Sequence, residues 1–142
     1  MTTNRTYRSS VSIPSSTERL SEVREFIAVN ARTHGFREDD VNKIALAVDE
    51  ACTNIIKHGY NYSPNYTIEI EVRRDGKNFE IMISDHGKQF DPNKIESPDM
   101  KEYLTHYRRG GLGIYLMKRI MDTIEFNFNP NRNTLRMTKT LQ

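Results

Sequence analysis

Four polar residues recur along one face of a predicted helix in the first half of the chain. They occupy positions i, i+4, i+7 and i+8, which form one stripe on a regular helix: Glu50, Asn54, Lys57 and His58. An asparagine oxygen suits a hard cation such as Mg²⁺, a glutamate one turn earlier can deprotonate a nucleophile, and a lysine can meet phosphate oxygens. The stripe therefore predicts phosphate-transfer chemistry. The alternative is an ordinary solvated helix face.

A second candidate group is a carboxylate at the end of a predicted strand. The alternating run over residues 79–83 points its apolar side chains inward, so that Asp85 stands at the strand end with Gly87 just beyond. If a nucleotide is bound, Asp85 can accept from the exocyclic amine of adenine, while a glycine permits close approach of the base. Phe90 either closes such a pocket or covers the core. Asp-x-Gly also occurs in many ordinary turns.

A glycine-rich segment opens the last predicted helix. Its residues are Gly110, Gly111, Leu112 and Gly113. Glycines let backbone amides and the positive end of the helix approach a phosphate directly, and Arg108 and Arg109 immediately before them add positive charge. The segment predicts a phosphate-binding turn. A glycine-rich hinge without a ligand is the alternative.

Composition excludes several other classes of protein. The 142 residues are 36% hydrophobic and 28% charged, which fits one globular domain, and no apolar run approaches the roughly 20 residues of a membrane helix. The 21 basic and 19 acidic residues are too balanced for a protein that binds nucleic acid directly. The single Cys52 cannot form an intramolecular disulfide, and no secretory signal is present, so a cytoplasmic protein is expected.

Metal and nucleotide motifs of other kinds are missing from the sequence. The four histidines are scattered without a second ligand at metal spacing, which argues against zinc, and there is no Gly-x-x-x-x-Gly-Lys-Ser/Thr loop. Cys52 falls on the apolar face of its helix and is expected to be a small buried hydrophobe.

Hydrophobic periodicity predicts an alternation of helices and strands. We expect a strand over residues 5–13 ended by Pro14, a helix capped by residues 15–18 and running toward Gly35, and a second helix from residues 38–40 to Gly59. A hairpin follows. Its first strand begins at Tyr66, its turn lies at Asp75-Gly76, and a second alternating run forms the other strand. Residues 86–109 are predicted to be a long loop, followed by a helix through Met121 and by strands over 123–128 and 134–141 joined by an Asn-Pro-Asn-Arg-Asn turn.

Taken in order, three segments resemble the N, G1 and G2 boxes of GHKL-type ATPases. They are VDEACTNIIKHGY at residues 48–60, SDHG at 84–87 and RGGLGIYL at 109–116. Within that superfamily the chain is most similar to the anti-sigma-factor serine/threonine kinases, over nearly its whole length. The resemblance implies an α+β sandwich of the Bergerat type, with helices on one face of a mixed, mostly antiparallel sheet, formed by residues 1–142 as a single domain.

The resemblance also implies ATP and Mg²⁺ as ligands and a role for each matching position. Asn54 would bind Mg²⁺, Glu50 would be the base that activates the attacking hydroxyl, and Asp85 with Gly87 would hold adenine. The expected ATP-binding set further contains Lys57, His58, Phe90, Arg109, Gly110, Gly111, Leu112 and Gly113. In this set Gly111 and Gly113 would bracket the triphosphate, with Arg109 near its terminal phosphate. The segment 86–109 departs from any strict family pattern, so catalysis is less firmly implied than nucleotide binding.

The implied substrate is a hydroxyl on another protein, because no segment supplies the dimerisation helix and phosphoacceptor histidine of a sensor kinase. By resemblance the partners would be a sigma factor and a small anti-sigma-antagonist (STAS-like) domain, with the kinase as a homodimer and no contact with nucleic acid or membrane. Two alternatives remain: a regulatory module that binds ATP without transferring phosphate, and a signalling fragment that does not bind ATP.

Overall fold

The computed structural model describes residues 6–91 and 113–142, which form five strands and three α-helices. In chain order the elements are β1 (Thr6–Pro14), a 3-10 turn (Thr17–Arg19), α1 (Leu20–His34), α2 (Glu38–Asn54), a π-helical turn (Ile55–Gly59), β2 (Thr67–Asp75), β3 (Asn78–Asp85), α3 (Gly113–Ile120), β4 (Thr123–Asn129) and β5 (Arg132–Thr140). None of the helices in this part of the chain has the length and hydropathy needed to cross a membrane.

The five strands form one sheet in the order β1-β2-β3-β5-β4, and every neighbouring pair is antiparallel. The resemblance implied a mixed, mostly antiparallel sheet, whereas the described sheet is antiparallel throughout. Strand residues alternate between buried and exposed, as expected when one face packs against helices and the other meets water. The predicted α+β sandwich is confirmed.

The core lies between the helices and the inner face of the sheet. Its largest fully buried side chains are Phe79, Ile13, Ile27, Ile44, Ile56, Ile68, Ile70, Ile81, Ile83, Met117, Met137 and Val23. Each buried side chain of this size stabilises the fold by about 1.5–3 kcal/mol relative to exposure. The helical and strand periodicities that predicted the elements therefore also identify most of the core.

Helix α1 begins and ends at the predicted signals. The Ser16 hydroxyl accepts a hydrogen bond of 3.4 Å from the Glu18 amide, which starts the 3-10 turn that leads into the helix. Gly35 ends the helix with φ of 116°, and its amide donates to the carbonyls of Ala31 and Arg32. A side chain at that φ would be strained, which explains the glycine.

Helix α2 ends differently from the prediction of a regular helix up to Gly59. Its α-helical bonding stops at Asn54, and the next turn is π-helical, with the Tyr60 amide donating to the Ile55 carbonyl at 2.9 Å. A π turn has more residues per turn than an α-helix. Residues 55–59 therefore do not keep the angular spacing on which the predicted four-residue polar stripe depends.

The first hairpin turn lies one residue later than predicted, and the second is tighter than predicted. Asp75 pairs with Asn78, so the first turn consists of Gly76 and Lys77, and Gly76 supplies the positive φ of 60°. Asn129 pairs with Arg132, so β5 begins within the segment predicted to be turn. This shift brings Asn133 into the sheet.

Candidate functional site

Asp85 ends the buried row of strand β3, as predicted. Its inward-facing predecessors are apolar, yet the Asp85 side chain is also buried, with a residue exposure of 4%. A buried carboxylate requires hydrogen-bond donors, and two are present: the Gly87 amide at 2.8 Å and the Asn133 amide nitrogen at 3.1 Å. Both donate to Oδ1. The strand thus delivers an oriented carboxylate to the end of the sheet.

Asn54 lies at the last residue of α2 and is 2% exposed. Within residues 6–91 and 113–142, neither its side-chain oxygen nor its nitrogen has a hydrogen-bond partner. A buried polar atom without a partner costs about 1–3 kcal/mol, so such a group is rarely kept without a ligand, ion or water to satisfy it. Glu50, one turn earlier, is also buried at 6% exposure. For these two residues the solvated-face alternative is wrong.

Asn54 and Asp85 line the same pocket. The other described residues that line it are Ala51, Ile55, Phe90, Ile114, Met117, Phe126, Phe128, Asn133, Thr134 and Leu135. A mostly apolar cavity with a few convergent polar groups is the usual form of a small-molecule site. Here the apolar walls suit a flat heterocycle, Asp85 suits an amine on that ring, and the Asn54 oxygen suits a cation.

Aromatic side chains form one wall of this pocket. Phe90 lies 6.4 Å from Phe128 and 5.5 Å from the His58 ring, measured between ring centroids, and Phe126 stacks with Phe128 at 6.1 Å. Phe90 therefore lines the pocket, which was one of the two predicted roles. Desolvation lowers the pKa of His58, with a smaller contribution from the charge of Lys57.

The other members of the predicted stripe, Lys57 and His58, are not among the described residues that line the pocket of Asn54 and Asp85. Lys57 is exposed, and the His58 ring contacts Phe90, which is one of the described lining residues. The π turn accounts for this difference, because it changes the angular spacing after Asn54. The structure brings together Asn54 and Asp85 but not the whole stripe.

The glycine-rich segment lies largely outside the described residues. Arg109, Gly110, Gly111 and Leu112 belong to residues 92–112, while Gly113 is the first residue of α3. Ile114 and Met117 of that helix line the pocket. The start of α3 is thus close to the pocket, and the phosphate-binding role of the segment stays a prediction.

Gly87 has a packing role that the sequence did not indicate. A Cβ at Gly87 would lie 2.7 Å from the carbonyl oxygen of Gly59 and 2.8 Å from its carbonyl carbon. The next amide, that of Lys88, donates to the same oxygen at 2.7 Å. The backbone after Asp85 therefore crosses directly over the end of the π turn, and only glycine fits at the crossing.

Gly87→Ala is expected to lower the free energy of unfolding by about 1–3 kcal/mol, the usual cost of forcing extra volume into a packed site. Gly59→Ala is the matched control, because a Cβ there has its nearest neighbour at 3.6 Å. Its effect should stay below about 1 kcal/mol. Urea unfolding of both variants tests this difference, and equal losses would contradict the crossing as described.

Tyr60 connects the end of the π turn to the segment that follows β3. Its hydroxyl donates to the Thr67 carbonyl at 2.8 Å and accepts from the His86 amide at 2.9 Å, and its ring stacks on Tyr66 at 4.8 Å. Burial raises the pKa of the Tyr60 hydroxyl. Hydrogen bonding and ring stacking explain this tyrosine. The end of the Asn54 helix and the strand end at Asp85 are thereby held in a fixed relation.

Cys52 is fully buried on the inner face of α2, as predicted. Burial raises the pKa of its thiol, and the charges of Asp49 and Asp85 raise it further. The thiol is therefore protonated at neutral pH and acts as a small apolar side chain.

Sequence reasoning missed Asn133. This residue is 5% exposed, lines the pocket and contacts Asp85. Leu135 and Met137 are the buried residues of β5, and Asn133 has the same parity in the strand. That parity is a usable signal, but the turn-forming residues around Asn133 outweighed it in the prediction.

The fold and the pocket fit a known class of protein, the histidine kinase-like ATPase domains. The family model of this domain matches residues 13–139, and the chain belongs to that family. The family resemblance predicted from three short segments is confirmed.

The chain is similar to named members of the class. Serine-protein kinase RsbW of Bacillus cereus (strain AH820) is 34% identical over 134 residues, which cover 92% of this chain and 82% of the relative. RsbW of Bacillus anthracis gives the same values. Curated relatives at this level span nearly the whole chain.

Two solved structures share the fold. The RsbU and RsbW domains of Rv1364c from Mycobacterium tuberculosis match with a TM-score of 0.68 at 14% identity, over 95% of this chain and 32% of that chain. The histidine kinase domain from the Erythrobacter litoralis EL346 blue-light activated histidine kinase matches with a TM-score of 0.55 at 14% identity, over 91% of this chain and 62% of that one. At this identity the likeness concerns the fold alone.

Proposed function

We propose that this chain is an ATP-dependent serine/threonine protein kinase that phosphorylates a hydroxyl on a partner protein. The observation that carries the proposal is the convergence of two buried polar groups, Asn54 and Asp85, on one apolar pocket. Membership of the histidine kinase-like ATPase family supports ATP as the bound nucleotide. The relatives named serine-protein kinase support a protein hydroxyl as the phosphate acceptor.

In the proposed complex the adenine ring enters between the apolar walls and its exocyclic amine donates to Asp85. The Asn54 side-chain oxygen would hold Mg²⁺, and the ion would neutralise triphosphate charge. The donor set fits this ion, because an amide oxygen is a hard ligand and the amide of Asn54 has no other described partner. Gly111 and Gly113 would approach the triphosphate through their backbone, with Arg109 near the terminal phosphate.

Glu50 is proposed to act as the general base. It borders a groove among the helices that Arg24, Asp49 and Leu116 also line, whereas Asn54 borders the nucleotide pocket. A base that lines this groove, one helical turn before Asn54, suits an acceptor hydroxyl that arrives through the groove. Glu50 would take the hydroxyl proton, the hydroxyl oxygen would bond to the γ-phosphorus, and ADP would leave with the electrons of the broken bond.

The proposed partners follow from the family resemblance. They are a small anti-sigma-antagonist domain, whose serine or threonine receives the phosphate, and a sigma factor, which the kinase sequesters through another surface. We further propose that residues 1–142 act as one domain in the cytoplasm, as a homodimer. The switch would consist of phosphorylation of the antagonist, which prevents the antagonist from releasing the sigma factor.

The test combines nucleotide titration with a transfer assay. Calorimetric titration should show Mg·ATP bound more tightly than Mg·GTP, and Asp85→Ala should remove that preference. Incubation with γ-labelled ATP and a small anti-sigma-antagonist domain from the same organism should label a serine or threonine of that domain. Binding without transfer to any such partner would favour the non-catalytic module, and failure to bind ATP would refute the proposal.

A further inference from the structure

Asn133 stands directly opposite Asp85 in the sheet. The two residues form the last matched pair of the β3–β5 ladder, and both side chains lie on the buried face. Side chains directly opposite each other in an antiparallel pair are close enough to interact. The register of the sheet therefore fixes an amide beside the carboxylate that the proposed function assigns to adenine.

The hydrogen bonds of Asn133 determine the orientation of its amide. The side-chain nitrogen donates to Asp85 Oδ1 at 3.1 Å and to the Gly87 carbonyl at 3.0 Å. Both partners are acceptors, so a flipped amide would place its own oxygen against two other oxygens. The amide nitrogen of Asn133 must therefore face Asp85 and the Gly87 carbonyl.

These contacts restrain the Asp85 carboxylate. Oδ1 receives one hydrogen bond from Asn133 and another, at 2.8 Å, from the Gly87 amide. Two donors on the same oxygen oppose rotation of the carboxylate about its terminal torsion, which is otherwise soft. Both described hydrogen bonds to the group end on Oδ1, so Oδ2 is the oxygen left to accept from a ligand.

We propose that Asn133 is a positioning residue for purine selection, an inference that rests on the proposed function. By holding Oδ1, it keeps Oδ2 aimed at the exocyclic amine of adenine. The guanine ring carries a carbonyl oxygen at the equivalent position, and a fixed carboxylate oxygen repels it. Without Asn133 the carboxylate can turn away, so both affinity for ATP and discrimination against GTP decrease.

A purely structural role makes a different prediction. If Asn133 only held the segment after β3 in place through its hydrogen bond to the Gly87 carbonyl, its loss would weaken the binding of every nucleotide to the same extent. Purine riboside triphosphate separates the two roles, because it keeps the ring and the triphosphate of ATP but lacks the exocyclic amine.

The experiment titrates wild type and Asn133→Ala with Mg·ATP, Mg·GTP and Mg·purine riboside triphosphate. The variant should bind ATP about 10-fold or more weakly, as expected for a lost hydrogen bond to a charged group, but bind the analogue within about threefold of wild type. Asn131→Ala is the matched control, because that asparagine side chain is exposed in the turn just before β5. Asn133→Ser, which keeps a donor, should recover part of the ATP affinity and serves for the same comparison if the alanine variant does not fold.

The outcomes separate the two proposals. Equal weakening of ATP and the analogue in the Asn133 variants, or no weakening of either, would overturn the role of Asn133. If instead wild type binds ATP and the analogue equally, and Asp85→Ala changes neither affinity, the adenine contact itself is wrong and the proposed site fails with it.

Discussion

Glu50→Gln is expected to slow phosphate transfer by about 10²–10⁴-fold, the usual contribution of a positioned general base. The glutamine has nearly the same shape and fits the same buried position on α2, but its amide cannot take a proton from the acceptor hydroxyl. Because Asn54 and Asp85 are untouched, Mg·ATP affinity should stay within about threefold of wild type. Single-turnover transfer to the antagonist domain, with a parallel titration of ATP, measures both quantities.

Asp49→Asn is the control for this substitution. Asp49 is the neighbouring carboxylate on the same helix, it is equally buried, and Arg24 holds it at 2.6 Å. The control removes a buried charge without removing the proposed base, so at saturating acceptor its transfer rate should stay within about 10-fold of wild type, well above that of Glu50→Gln. A control that loses as much activity as Glu50→Gln would show that the chemistry is not specific to Glu50.

The elements with a regular hydrophobic period were predictable from the sequence. In β2 and β3 the apolar residues alternate with polar ones, and this period places Asp85 at the buried end of its strand. On α2 the helical period likewise places Glu50 and Asn54 one turn apart. These local rules were sufficient to identify Asn54 and Asp85, the two polar residues that line the same pocket.

The parts that depend on distant contacts were not predictable. The glycine at position 87 is required by the Gly59 carbonyl, which belongs to a different element of the chain. The π turn after Asn54, a rare form of helix, was not predicted from the helical period. Asn133 was missed because the residues of an Asn-Pro-Asn-Arg-Asn segment favour a turn, whereas pairing with β3 continues the strand through it. At Asn133, strand pairing thus outweighed the local preference for a turn.

Asn54→Ala is expected to abolish Mg-dependent ATP binding and yet leave the ligand-free protein as stable as wild type, or more stable by up to about 2 kcal/mol. The reason is that the amide of Asn54 is buried and has no described partner, so it costs free energy until a ligand satisfies it. Alanine removes that cost and favours the helix, and both gains offset the small cavity left behind.

The order of stability should therefore reverse when nucleotide is added. Mg·ATP at about 100 times its dissociation constant stabilises a protein that binds it by about 2.7 kcal/mol, and a variant that cannot bind gains nothing. Urea unfolding of wild type and Asn54→Ala, each with and without Mg·ATP, measures this directly. Asn42→Ala removes an exposed amide from the same helix and corrects for helix propensity. If Asn54→Ala were destabilised without ligand by more than about 2 kcal/mol, the amide would be a structural group rather than one kept unsatisfied for a metal ion.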